Sequence, residues 1–457
     1  MARLVIVSNR VPVPAKKREQ QAGGLAVVLE EALKGEVLWF GWSGRRMDSL
    51  ITQPAIVTRG ATTFATIDLS EAEYRQYYAG FANRSLWPLL HYRTGLVAYS
   101  RDEYRGYRAA NRKFAEALKP LLRADDIIWV QDYHLIPLGR ALREAGIGQR
   151  IGFFLHIPLP PPSVLDILPP ARELIADLAT YDLVGFQTEE DRDNFAGCAK
   201  RFLAGKEQAH ALASSVAIPV GIDGKAFARM AMTSRMTAES HRLKHSLVGR
   251  KLIIGADRLD YSKGLPLRFE AYSELLETHA QYREKVSFLQ VAPRSREDVS
   301  EYRDLKKSLD RLTGKINGKY AQFDWVPLRY MTHGLSRKLL AGFFRMAAIG
   351  LVTPLRDGMN LVAMEYVAAQ DEEDPGVLVL SRFAGAAASL DAALIVNPHD
   401  TSAVAEAIHQ GLMMPKEERQ ARWLSLMSRI EQDSAASWCR RFLARLTAGP
   451  KSLRAAS

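Results

Sequence analysis

Arg258 and Lys263 follow the apolar run Leu252–Ala256, five positions apart in Asp257-Arg258-Leu259-Asp260-Tyr261-Ser262-Lys263-Gly264. Two cations at the end of a strand can clamp a diphosphate, each charge-assisted contact adding roughly 1.5–3 kcal/mol. They can equally be paired with Asp257 and Asp260. Arg294 and Arg296 follow the run Val286–Ala292 in the same way. A second constellation is Thr353-Pro354-Leu355-Arg356-Asp357-Gly358-Met359-Asn360-Leu361-Val362-Ala363-Met364-Glu365. It reads as a strand end, a glycine turn and a helix that starts at about Asn360. The free N–H groups of such a start suit a phosphate. Asp357 in the turn and Glu365 in the helix can hold sugar hydroxyls, or stand as a solvated acid pair.

The first half carries weaker signals. Ser8-Asn9-Arg10 places an arginine at the carboxyl end of an apolar strand, as a ligand contact or as a surface residue. Gly23-Gly24-Leu25 opens a helical pattern, Ala26–Leu33, and lets a ligand approach the backbone, or is a plain turn. The stretch Tyr77–Pro88, with Tyr78 and Trp87, is dense in aromatic rings that suit sugars or simply pack a core. Asp132 and His156 end the neighbouring strands Ile127–Gln131 and Ile151–Leu155, where an acid and a histidine can converge on one point.

The elements that must position these groups are short β-branched runs alternating with amphipathic stretches. Leu4–Ser8, Val37–Trp42, Thr62–Ile67, Ile127–Gln131, Ile151–His156, Leu183–Gln187 and Val216–Val220 read as strands, then Leu252–Ala256, Val286–Ala292, Ile349–Thr353, Val377–Ser381 and Leu394–Asn397. Ser70–Phe81, opened by a Ser70/Glu73 capping box, Glu103–Leu122 and Leu135–Ala145 read as helices, as does the tail Lys416–Leu446. Such alternation predicts an α/β fold with parallel sheets covered on both faces. The strand signal pauses over Ala228–Gly249. The expected domains are therefore 1–235 and 236–457, two doubly wound units facing a cleft, with the terminal helix packing back on the first.

Composition sets the class. The chain has 457 residues, 47% of them hydrophobic, enough for two cores. Its net charge of +11 favours anionic ligands, but the basic residues are dispersed rather than clustered, which argues against nucleic acid. No apolar run approaches the roughly 20 residues of a membrane span. The N-terminus turns polar too early for a signal peptide, and two cysteines make no disulfide framework. A cytoplasmic enzyme without membrane attachment is expected.

Together these segments resemble the trehalose-phosphate synthases, glycosyltransferases of family 20 with the two-domain GT-B fold. The resemblance runs from about Arg3 to about Gly411. It includes Ser8-Asn9-Arg10, Gly23-Gly24-Leu25-Ala26-Val27, Trp39-Phe40-Gly41-Trp42-Ser43-Gly44, Leu86-Trp87-Pro88, His91-Tyr92-Arg93, Asp132-Tyr133-His134-Leu135, Gly152–Pro158, Arg258–Gly264, Ile316-Asn317-Gly318-Lys319-Tyr320 and Arg356–Val362.

The resemblance implies an acceptor site of Arg10, Tyr78, Trp87, Asp132 and Arg296, with Arg10 and Arg296 on the phosphate of glucose 6-phosphate. It implies a donor site of Gly23, Gly24, Arg258, Lys263, Leu335, Asp357, Leu361, Val362, Ala363, Met364 and Glu365 for a nucleotide sugar, UDP-glucose by family habit. His156, Arg258, Lys263 and Asp357 would act at the reacting bond, with no metal and no cofactor. Two positions depart from the family: Leu335 stands where an aromatic residue lies near the base, and Gln131 replaces a histidine before Asp132. The implied chemistry is retaining, by front-face substitution without a protein nucleophile. Transfer to glycerol phosphate, coupling of cyclitols through nitrogen, and a non-catalytic sugar-phosphate sensor remain as alternatives, and self-assembly into a homo-oligomer is left open.

Overall fold

Short runs of Val, Ile, Leu and Phe with no polar interruption suit strands buried on both faces, and they form the centres of two parallel sheets. The computed structural model describes residues 2–11, 13, 29, 35–47, 53–295 and 300–448. One unit comprises residues up to Pro219 together with those from Ala436 onward, and the other is Val220–Ala435.

In the first unit β1 (Leu4–Arg10), β2 (Val37–Arg46), β3 (Ala55–Arg59), β4 (Thr62–Leu69), β5 (Ile127–Gln131), β6 (Arg150–Phe154), β7 (Leu183–Phe186) and β8 (Ser215–Ala217) make one sheet. Their order is β3-β4-β2-β1-β5-β6-β7-β8, and only β3 runs antiparallel to its neighbour. The second unit orders β9 (Lys251–Ala256), β10 (Val286–Val291), β11 (Leu328–Met331), β12 (Ala347–Val352), β13 (Val377–Ser381) and β14 (Leu394–Val396) as β11-β10-β9-β12-β13-β14, all parallel. Strand order reverses beside β1 and beside β9. The crevices beyond the carboxyl ends there, β1/β5 and β9/β12, are where such sheets take ligands.

Several expectations change. β3 and β11 add to the strands expected; both are edge strands, β3 exposed and β11 half-buried, and neither has an apolar run longer than three residues. The Ser70/Glu73 capping box forms, with Ser70 N–H donating to Glu73 at 2.7 Å. The helix that follows does not stop at Phe81: it continues as a wide π-type helix, Tyr74–Leu86, kinked at Gly80. The first unit closes at Pro219 rather than at residue 235, because the helix Gly224–Ser234 packs on the helices Arg337–Met346 and Leu361–Ala369. The stretch read as lacking strands is two helices, Gly224–Ser234 and Ala238–Leu247.

The tail, expected as one helix, is two: Lys416–Gln432 and Ala435–Ala448. The break at Asp433 lies against Gly221, where a Cβ would sit 1.3 Å from the Asp433 carbonyl oxygen. The last helix belongs with the first unit. There Trp438 and Phe442 pack on Trp129, with ring centroids 4.7 and 4.6 Å away. Among the described residues no helix is long and apolar enough to cross a membrane.

Candidate active site

In the second unit the β9/β12 crevice gathers most of the expected donor residues. The loop after β9 turns at Gly264, whose φ is +66°, and a Cβ there would lie 2.7 Å from the Thr353 carbonyl oxygen. That loop therefore lies directly on the chain leaving β12, and Leu355 N–H donates to the Ser262 carbonyl at 2.7 Å. The contact brings Lys263 onto Asp357 as an ion pair through Oδ2. The same carboxylate oxygen accepts from Asn360 Nδ2 at 2.9 Å. Asp257 and Asp260 are not the partners of Lys263. Asp257 pairs with the buried Arg268 at 2.6 Å, and Asp260 accepts from Ser262 N–H at 3.0 Å and from the Tyr302 hydroxyl at 3.2 Å. Arg258 is exposed immediately after β9.

Asn360 takes a left-handed backbone, φ +75°, and its side chain does not cap the helix Leu361–Ala369 that follows. A residue other than glycine held there costs about 1 kcal/mol or more, and such strain concentrates at ligand sites. Ala363 N–H donates to the Asn360 carbonyl at 3.2 Å, and the N–H groups of Leu361 and Val362, with no side-chain cap from Asn360, are the ones placed to meet an anion. Leu361, Val362 and Glu365 are half-buried, whereas Ala363 and Met364 turn into the core. Glu365 accepts from Arg337 Nε at 2.8 Å, and that guanidinium lies 5.0 Å over the Phe227 ring. Asp357 and Glu365 therefore each face a cation rather than standing as a solvated acid pair. Leu335 is half-buried two residues before Arg337, ahead of the helix capped by Ser336.

In the first unit β1 bulges between Ser8 and Arg10. Arg10 then lies against Gly44, where a Cβ would come within 2.7 Å of its Nε. Arg10 is exposed and makes no ion pair among the described residues. Asn9 accepts from the Tyr77 hydroxyl at 2.7 Å, which ties this corner to the wide helix. From that helix Tyr78 stacks on His134 at 5.6 Å and 7°, with Trp42 5.6 Å away. Trp87 is buried against His91 and Tyr133.

Asp132 and His156 do converge. Asp132 has φ +73° and accepts from the His156 backbone N–H at 3.2 Å. The His156 ring lies between two amides: its Nε2–H donates to Gln131 Oε1 at 2.9 Å, and its Nδ1 accepts from Gln187 at 3.3 Å. Burial pushes the imidazole down to about 3, so it is neutral. Gln187 and Arg337 went unnoticed in the sequence because each needs a contact from a distant segment, while Asn360 and Gln131 stood within segments already singled out. Gly23, Gly24 and Arg296 lie outside the described residues.

The chain matches the profile of glycosyltransferase family 20 over residues 2–448. It is 47% identical to a trehalose-6-phosphate synthase of Sinorhizobium fredii, across 98% of this chain and 99% of that one. An alpha,alpha-trehalose-phosphate synthase (UDP-forming) of Burkholderia xenovorans in complex with glucose-6-phosphate superposes with a TM-score of 0.92 at 46% identity, covering 98% of this chain and all of that one. An E. coli structure of trehalose-6-phosphate bound with UDP-2-fluoro glucose superposes at 0.91 with 44% identity, over 97% and 99% of the two chains.

Proposed function

Since this chain belongs to glycosyltransferase family 20, we propose that it transfers glucose from UDP-glucose to glucose 6-phosphate, giving α,α-trehalose 6-phosphate and UDP. The observation that carries the donor side is the Lys263–Asp357–Asn360 cluster at the uncapped start of the helix Leu361–Ala369. A diphosphate there meets fixed positive charge and the N–H groups of Leu361 and Val362, and a sugar next to it meets a carboxylate. The relatives with bound glucose-6-phosphate and UDP-2-fluoro glucose support the choice of substrates.

The reaction is retaining and needs no metal. The bond from glucose C1 to the UDP phosphate oxygen breaks as C1 bonds to the acceptor hydroxyl oxygen on the same face. The proton of that hydroxyl passes to the leaving phosphate oxygen. Negative charge grows on the diphosphate, and Arg258 and Lys263 stabilise it from preorganised positions. Asp357 and His156 hold the transferred glucose. Glu365 takes the ribose, with Leu335, Leu361, Val362, Ala363 and Met364 around the nucleotide and Gly23 and Gly24 along the donor. Arg10, Tyr78, Trp87, Asp132 and Arg296 orient the acceptor, so that positioning lowers the barrier.

A nucleotide-release assay crossing UDP-, GDP- and ADP-glucose with glucose 6-phosphate and glycerol 3-phosphate tests this reading. UDP release only with glucose 6-phosphate is the expected result. Release only with glycerol 3-phosphate assigns a different acceptor, and no release from any pair by folded protein removes the glucosyl-transfer reading in favour of cyclitol coupling or a sensor. Arg258→Ala should lower turnover by more than it weakens acceptor binding; unchanged turnover would take the diphosphate role from Arg258.

A further inference from the structure

Beneath the donor crevice lies a guanidinium that never meets solvent. Arg268, on the helix Leu265–Thr278, is 1% exposed. Its Nη1 donates to Asp257 at 2.6 Å and to Gln290 Oε1 at 2.9 Å. Its Nε donates to Thr353 Oγ1 at 2.9 Å, and its Nη2 to the Lys263 carbonyl at 3.3 Å. One side chain thus joins the ends of three adjacent strands, β10, β9 and β12, to the loop that carries Lys263. The backbone makes room for it. Gly255 has no Cβ, and one placed there would lie 2.9 Å from Arg268 Nη1 and 2.4 Å from Gln290 Oε1.

A buried ion pair is weak evidence of stability, since apolar residues of the same volume usually serve a core as well or better. The places that Arg268 touches suggest another use. Asp257 immediately precedes Arg258. The Lys263 carbonyl belongs to the residue whose ammonium pairs with Asp357. Thr353 begins the segment that carries Asp357 and Asn360. Three of the four contacts therefore lie at, or within a few residues of, a group that meets the donor in the reading above; the fourth, Gln290, fixes the guanidinium to β10. Only a planar fork with five donors can hold all four at once; a lysine ammonium in the same place is a point charge on a flexible stem.

We infer that Arg268 is a positioning residue for the diphosphate site, setting the spacing between Arg258, Lys263 and Asp357 without touching the donor itself. The inference rests on the glucosyl-transfer reading, and wild-type UDP release from UDP-glucose and glucose 6-phosphate tests that reading separately.

The experiment compares Arg268→Lys and the charge-neutral double variant Arg268→Met/Asp257→Asn with wild type. It measures KM for both substrates, kcat, UDP affinity by calorimetry and Tm. The double variant leaves no uncompensated buried charge, and Arg268→Lys keeps the charge without the fork, so one covers for the other should either fail to fold. The expected result is UDP affinity weakened at least about tenfold and a matching rise in UDP-glucose KM, with glucose 6-phosphate KM within about twofold of wild type. Folded variants with wild-type UDP affinity would overturn the inference. So would equal losses for both substrates, which would mark Arg268 as a general structural residue.

Discussion

Lys263 and Asn360 share one oxygen of Asp357, and this sharing orients the carboxylate before any sugar arrives. Lys263→Ala removes the ammonium and leaves Asp357 without its cation, so donor kcat/KM should fall by about 10–100-fold, the scale of one charge-assisted contact. Steady-state kinetics with UDP-glucose varied checks this. His156 makes a prediction of a different kind. Its imidazole is held down to about 3 against an ordinary 6.5. The groups around it are Gln131, Gln187, Phe154, Trp438 and the Asp132 carboxylate on its backbone N–H. The folded state therefore binds fewer protons than the unfolded state between those values. Its contribution to stability is complete above about 6.5 and is lost as the pH falls toward 3. Relative to His156→Asn, the wild type should lose about 1–2 kcal/mol between pH 7 and pH 5, read by urea unfolding at each pH.

Among the elements, the last helix carries a clear stability claim. Ala435–Ala448 delivers Trp438, fully buried, onto Trp129, Phe154 and His156. Trp438→Ala should cost about 3–5 kcal/mol in urea unfolding, as large core truncations do. A loss no greater than that of an exposed substitution would mean that the helix does not support this core. How far the elements could be read beforehand follows from their burial. β1, β5, β9 and β12 are continuous apolar runs, so they and the ligand loops after them were legible. β3 and β11 lie at sheet edges, where half-exposed residues give no such run. The wide turn of Tyr74–Leu86 has no pattern distinct from an α-helix until Gly80 is seen to kink it. Arg268 carries no signal in the sequence, because only the fold brings Asp257, Gln290 and Thr353 around it. Asp132 and His156 were legible as a pair because parallel strands end at the same edge.

For the whole molecule, two doubly wound units divide the work proposed here: the acceptor side chains except Arg296 belong to the first, and the cations and carboxylates of the donor site to the second. A net charge of +11 suits two anionic substrates. The kcat/KM for glucose 6-phosphate should accordingly fall as salt rises from about 0.01 to 0.15 M, over which the Debye length shortens from roughly 30 to 8 Å. A rate indifferent to salt would confine the attraction to short-range contacts. The central claim is retaining glucosyl transfer between two named substrates, and proton and phosphorus NMR of one reaction mixture tests it most directly. With UDP-glucose and glucose 6-phosphate, the account predicts a single α,α-linked disaccharide phosphate forming in step with UDP. A β-linked product, free glucose in place of disaccharide, or UDP-glucose left intact by folded protein would contradict it.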